Sequence, residues 1–518
     1  MASLHFARLP FNINFRRGKT PGLPRCTSVK EPLRNPLPNF RDKNQFPGKL
    51  EADVVVIGSG IGGLCCAGLL AKYNQDVIVL ESHDVPGGAA HSFEIKGYKF
   101  DSGPSLFSGF QSRGPQANPL AQDAILPMSA AAMALPPISL RGDWGVLSTA
   151  AVRYAPSLVK SLIRMGPQGA LRASKLLRPF SEIIDSLDIK NSFIRNWVDL
   201  LSFLLAGVKS DGVLSAEMVY MFAEWYKKGC LLEYPIHGTG SVVGVLVQGI
   251  QKFGGRLALN AHVKRILVKN GRATGVELSS GSIVKAKKAV VSNASMLDTL
   301  NLLPPDAIPT SYTEKIKATP QCESFMHLHL GFDAQIVPEN LGIHHIVVND
   351  WSRGVDAEQN VVLISIPSVL GKELAPSGKH VLHAYTPGTE PYSLWEGLDR
   401  RSAEYKRLKA ERSEVMWKAV ERVLGSGFIR EKCEVALVGT PLTHKRFLRR
   451  HRGTYGPAIK AGEGTFPGHS TPLPQLFCCG DSTFPGIGVP AVAASGAIVA
   501  NTLVPVSKHY ELLNELGI

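Results

Sequence analysis

Charge is scarce in this 518-residue chain: 19% of residues are Asp, Glu, Lys or Arg, and 44% are apolar. Globular domains carry about a quarter charged residues, so the chain is a globular protein and neither a disordered polyampholyte nor a coiled coil. Its eight cysteines contain no Cys-x-x-Cys. Two adjacent pairs, Cys65-Cys66 and Cys478-Cys479, stand among them. That spacing supports neither a disulfide framework nor a zinc site, and a reducing compartment is expected. No apolar segment followed by a small-residue cleavage site opens the chain, which argues against secretion.

Acidic residues are missing from the first thirty positions; residues 1–50 hold ten Lys or Arg against Glu31 and Asp42. Such a basic leader fits an organelle transit peptide. Without it the net charge of +14 falls to +6. Val489–Val506, eighteen residues without a charge, has the length of a membrane span. Pro490, Gly496 and three small polar residues within it fit instead a buried helix whose amino terminus faces a ligand.

Asp53–Ile57 is an apolar run suited to a strand buried on both faces, and Gly58-Ser-Gly60-Ile-Gly62-Gly63 follows at once, leading into a helix over 64–73. In this arrangement Gly58 allows the tight turn, Gly60 lets the backbone approach a pyrophosphate, and Gly63 lets helix and strand pack closely. A second strand, 76–81, ends in Glu81, 18 residues after Gly63. Its carboxylate suits an adenosine ribose hydroxyl and repels a 2′-phosphate. Together these features predict a dinucleotide site in a Rossmann-type α/β fold.

Pro86-Gly87-Gly88, the hairpin 97–103, and Leu476–Asp481 with its terminal Gly480-Asp481 resemble amine-oxidase and phytoene-desaturase type flavoproteins. The blocks Val291-Ser-Asn-Ala294, Gly439-Thr-Pro441, Gly453-Thr-Tyr-Gly-Pro457 and Gly480-Asp-Ser482 narrow this to a resemblance to the plant carotenoid isomerase family, over nearly everything after Leu50. The resemblance implies FAD as cofactor. It also implies that Asp481 holds the ribityl chain, that the helix starting at Gly488 and Val489 points at the flavin pyrimidine, and that the Val263 backbone meets the adenine side. The implied substrate is a carotenoid polyene in a chloroplast or other plastid. Redox-neutral cis-to-trans isomerisation by reduced flavin is the first reading. Desaturation or saturation of a carotenoid or retinoid with net redox change, and flavin or carotenoid binding without turnover, stay open beside it. The sequence specifies neither a catalytic residue nor the electron donor, and no catalytic acid is assigned at Glu390 or Glu396. Compared with the family, Asn118–Gln122 runs directly into Asp123–Pro127, several dozen residues short.

The expected organisation is a discontinuous FAD domain, about 50–117 with 237–300 and 437–518, enclosing an α+β substrate domain at 118–236 and 301–436. Gly238–Gly244 lacks a preceding strand and a spaced acid, so it reads as a helix start near the flavin and not a second nucleotide site. Between Gly145 and Ser181 six cations stand without an acid. That pattern fits peripheral contact with an anionic membrane or a solvated helix face. The basic stretch 443–460 has two aromatics and no nucleic-acid-binding fold around it, so no nucleic acid is expected. His327 and His329 share a strand face, with His344-His345 beyond. Lacking a matching carboxylate or cysteine, they read as ordinary strand histidines, and no metal is expected.

Overall fold

The computed structural model describes residues 47–105, 107–108, 140–149, 174–225, 232–336, 338 and 341–516. The leader, the junction at Gln122-Asp123 and most of the acid-free basic stretch lie outside these.

Along the chain, strand β1 (Glu51–Ile57) turns through Gly58 into helix α1 (Ile61–Lys72) and returns as β2 (Val77–Leu80). The hairpin β3 (Ser92–Ile95) and β4 (Tyr98–Asp101) follows, then the short β5 (Phe107–Ser108) and its partner β6 (Leu232–Glu233). Helix α2 (Thr239–Lys252) leads to β7 (Arg256–Ala258), β8 (Val263–Lys269), β9 (Arg272–Leu278) and β10 (Ile283–Ser292). Next come β11 (His327–Asp333), β12 (His344–Val348), β13 (Val361–Ser365), β14 (Lys379–Tyr385), helix α3 (Ala403–Leu424), β15 (Val435–Gly439) and α4 (Pro441–Leu448). The chain closes with β16 (Leu476–Cys478), α5 (Val489–Thr502) and a last helix, Val506–Leu516.

Two sheets organise these elements. In the first, β7, β2, β1, β10 and β16 run parallel, and the β8–β9 hairpin extends it along the other half of β10. Val54, Val55 and Val56 of β1 are buried on both faces, as an all-parallel sheet requires. Helices α1, α2 and α5 cover one face through Leu64, Leu70, Val247, Ile250 and Val499. Helix α1 touches α5 so closely that a Cβ on Gly496 would stand 2.1 Å from the Gly62 carbonyl oxygen. The small-residue run after Val489 is therefore a packed core helix, and among the described residues no helix is long and apolar enough to cross a membrane.

The second sheet is antiparallel, in the order β12-β13-β14-β11-β15. Period-two alternation divides β11 between its faces. Leu328, Leu330 and Phe332 pack on Met416, Ala419, Val420 and Leu424 of α3, which Ser402 caps by accepting the Tyr405 N–H. His327, His329 and Gly331 face the other way, toward the β3–β4 hairpin. Tyr98 lies against Gly331, where a Cβ would meet its ring at 2.7 Å. The Phe93 and Phe100 rings stand edge-on to His329 at 5.3 and 5.6 Å. The hairpin that follows Gly87-Gly88 thus docks the second sheet against the first.

Candidate cofactor site

Four neighbouring parallel strands end at one level: β1 at Ile57, β2 at Leu80, β10 at Ser292 and β16 at Cys478. The next residues, Gly58, Glu81, Asn293 and Cys479-Gly480, line the crevice beyond the carboxyl ends of the strands, where open α/β sheets bind ligands. Gly58 turns the chain with φ +89° and donates its N–H to Leu80 O. Helix α1 then begins without a side-chain cap and without an acid in its first turn, leaving N–H groups and the positive dipole end for an anion.

The cradle admits only glycine. A Cβ on Gly63 would lie 2.3 Å from Gly58 O, and Asn293 lies across Gly60, Gly62 and Gly63, meeting a Cβ at each at 2.7, 2.8 and 3.1 Å. Gly87 joins this floor, donating its N–H to the Ser59 carbonyl at 3.0 Å and pairing with Gly60, while Gly88 packs on the Gly60 Cα. Glu81, at the end of β2, accepts the Ser59 N–H at 2.8 Å and its hydroxyl at 2.5 Å on Oε2, and the His83 N–H at 2.8 Å on Oε1. Its carboxylate is thereby pinned at the strand end. The Ala261 N–H bonds to Glu81 O at 2.7 Å, so Val263, the first residue of β8, starts close by.

From the carboxyl-terminal side, Gly480 donates to Ser495 Oγ at 2.9 Å and Asp481 pairs with Arg450. Gly488 precedes α5 as an uncapped start, with Val489 its first residue. The residues expected to hold the cofactor fall into two groups in the fold. Gly58, Gly60, Gly62, Gly63, Glu81, Gly87, Gly88 and Val263 form one, and Gly480, Asp481, Gly488 and Val489 the other. The Arg450 Nε and Nη2 are buried without a partner among the described residues. Such orphaned donors beside a carboxylate, together with the glycine cradle, suit a bulky polar anionic group such as FAD.

Sequence reasoning missed Asn293, Ser59 and Arg450, and above all a set of four histidines. Asn293 stood inside a recognised block without a role, and Arg450 was one of eight basic residues in 443–460. His327, His329, His383 and His444 share a signal only in part: the first two alternate on β11. His383 lies opposite His329 on β14, and His444 arrives from α4, 117 residues after His327. Burial pushes all four imidazoles down, His329 and His444 to about 4. Ligand atoms of His327, His329 and His383 lie within 4.8 Å of one another. Yet the His329 and His383 rings are parallel within 6° at 4.3 Å, so their lone pairs lie in separate planes and do not converge as a tetrahedral metal site needs.

These depressed values have a stability consequence. Unfolded histidine titrates near 6.5, so as pH falls below that the unfolded chain takes up protons the folded chain refuses, and stability drops. For His329 the span from 6.5 to about 4 is worth on the order of 3 kcal/mol. Urea midpoints between pH 7 and pH 5 should fall steeply in the wild type and less steeply in His329→Asn. Equal slopes would show that the cluster is not held neutral.

Similarity to known proteins agrees with this geometry. The flavin-containing amine oxidoreductase family matches residues 61–504. The chain is 31% identical over 502 residues to the chloroplastic prolycopene isomerase 2 of an Oncidium hybrid cultivar, covering 87% of this chain and 83% of that protein. It is 23% identical over 594 residues to the all-trans-retinol 13,14-reductase of Danio rerio, covering 97% and 95%. An oxidoreductase from Methanosarcina mazei shares the fold, with a TM-score of 0.52 at 18% identity over 86% of this chain and 98% of that one. FAD is the cofactor. The chain belongs to the flavin-containing amine oxidoreductase family, as an FAD-dependent enzyme of the phytoene-desaturase type related to the plant prolycopene isomerases.

Proposed function

We propose that the protein is a plastid carotenoid isomerase that turns cis double bonds of a polyene to trans without net redox change. The observation that carries this reading is the 31% identity to a prolycopene isomerase over 83% of its length, against 23% to a retinol reductase. A polyene offers nothing to hydrolyse and nothing to hydrogen-bond, so the chain's task is to hold a cofactor and an apolar rod in register.

In this reading the N–H groups at the start of α1 hold the pyrophosphate, Glu81 the adenosine ribose and Asp481 the ribityl chain. The Val263 backbone would meet the adenine, and the uncapped start of α5 at Gly488 would face the pyrimidine end. Bound reduced flavin supplies electron density that lowers the order of a cis bond and lets it rotate. Half-buried Phe325, Tyr385 and Tyr455, grouped around the histidine face of the second sheet, give the polyene an aromatic wall that excludes water. The division into a discontinuous FAD domain and an inserted substrate domain belongs to the same proposal, as does peripheral contact with a plastid membrane, where carotenoids dissolve.

The test is direct. Purified protein should be yellow with bound FAD, and the reduced holoprotein should convert poly-cis lycopene to the all-trans form at unchanged mass. A gain or loss of two hydrogens would make it a saturase or desaturase. Bound FAD without turnover would make it a binding protein, and a colourless protein that refuses FAD would overturn all three. Fusing residues 1–50 to a fluorescent reporter should send it into plastids; a cytosolic reporter would remove the plastid assignment.

A further inference from the structure

Three of the four histidines touch edge to edge. His327 Nδ1 lies 2.7 Å from His383 Nε2, and the two rings are 5.0 Å apart at 13°. That separation is what an in-plane N–H···N bond produces, since each nitrogen stands roughly 1.1 Å from its ring centre and the bond itself spans about 2.8 Å. On its other side His327 Nε2 contacts His444 Nε2 in the same manner, with ring centres 4.5 Å apart at 23°. His327 thus uses both nitrogens toward other imidazoles. The chain of rings runs from half-buried His444, whose helix leads to Arg450 and Asp481, to His383 inside the second sheet. It ends on an unsatisfied atom: His383 Nδ1 is buried with no partner among the described residues. His329 does not join the chain. Its Nε2–H donates to Asp101 O, 3.2 Å away, and the ring stacks on the face of His383, fixing that ring's plane.

We propose that His444, His327 and His383 form a proton relay that serves the polyene, an inference resting on the carotenoid reading above. One tautomeric arrangement satisfies every contact: His444 donates from Nε2, His327 accepts there and donates from Nδ1, and His383 accepts at Nε2 and holds its proton on Nδ1. Bound reduced flavin would supply a hydride equivalent to one carbon of a cis double bond, and His383 would deliver its Nδ1 proton to the neighbouring carbon. The π pair is replaced by two C–H bonds and the remaining single bond rotates. In the same concerted event His383 Nε2 takes the His327 proton, His327 Nε2 takes the His444 proton and His444 Nδ1 takes one from solvent acid, so no imidazolate is left behind. Every ring is neutral before and after, so no imidazolium forms where burial forbids it. Reversal would send a proton back through the rings and restore the double bond as trans, the hydride equivalent returning to the cofactor.

The experiment uses full-length, 15N-histidine-labelled holoprotein, with His327→Gln and His444→Gln as variants. Scalar coupling across the hydrogen bonds should link His327 to both neighbours and vanish in His327→Gln while FAD stays at one equivalent. In D2O the reduced wild type acting on poly-cis lycopene in lipid vesicles should leave deuterium in the trans product. Both variants should slow turnover by about 10²-fold, the scale of general acid–base catalysis, and lose the solvent isotope effect. Absence of both couplings, or a His327→Gln enzyme with wild-type rate and isotope effect, would overturn the relay. So would a stoichiometric metal bound by these rings. A wild type that binds FAD and never turns over would instead sink the isomerase reading, and the couplings would still decide whether the chain of imidazoles exists.

Discussion

Gly63→Ala should purify colourless, with less than a tenth of the wild-type flavin absorbance per protein. The added Cβ would sit 2.3 Å from the Gly58 carbonyl oxygen, a backbone atom that cannot swing aside, and 3.1 Å from Asn293 Cβ. Relief requires the turn between β1 and α1 to open, which withdraws the N–H groups that hold the pyrophosphate. Gly68→Ala is the matched control. It lies on the same helix, and its Cβ would meet only Ile250 Cγ1 at 3.8 Å, an ordinary contact. There the change from glycine to alanine should stabilise by up to about 1 kcal/mol and leave FAD at full occupancy. A yellow Gly63→Ala protein with normal FAD content would refute the assignment of this turn as the cofactor cradle.

Arg412→Met should cost about 3–5 kcal/mol, the penalty for stranding one partner of a buried ion pair. Glu390 is fully buried. Its carboxylate receives Arg412 Nε at 2.9 Å and Nη2 at 2.7 Å, with the Trp395 indole N–H at 2.9 Å. Burial pushes the Glu390 carboxyl above its usual 4.5 even with the guanidinium holding it down. Since the folded state then binds protons more tightly than the unfolded one, this group's contribution falls as pH rises above 4.5. Removing Arg412 raises the folded value further, so the deficit should be largest near neutral pH and shrink toward pH 4.5. Adding Glu390→Gln to the variant should recover part of the loss at pH 7. Urea midpoints at the two pH values measure both effects; a deficit independent of pH would show that lost packing, not a stranded charge, is the cause. The same geometry accounts for Glu390 structurally, in keeping with the absence of any catalytic assignment there.

How much of this was readable in advance follows from the range of the interactions. The glycine turn, the strand before it and the acid at the end of the second strand are local patterns: φ +89° at Gly58 and two-sided burial of Val54–Val56 leave marks within thirty residues of one another. The charge-poor core helix after Gly488 was legible for the same reason, since its small residues record close packing against α1. Arg450 was not legible, because a cation that pairs in the interior looks like any other in a basic stretch.

The scarcity of charge and the glycine pattern determined a globular α/β protein of the dinucleotide-binding type. Backbone geometry imposes those residues wherever the fold recurs. Only the tertiary structure brought His383 and His444 to the two edges of His327, because register across β11 and β14 and the approach of α4 are set by long-range packing. An imidazole carries no sequence mark that tells whether its neighbour will be water, a metal or another imidazole.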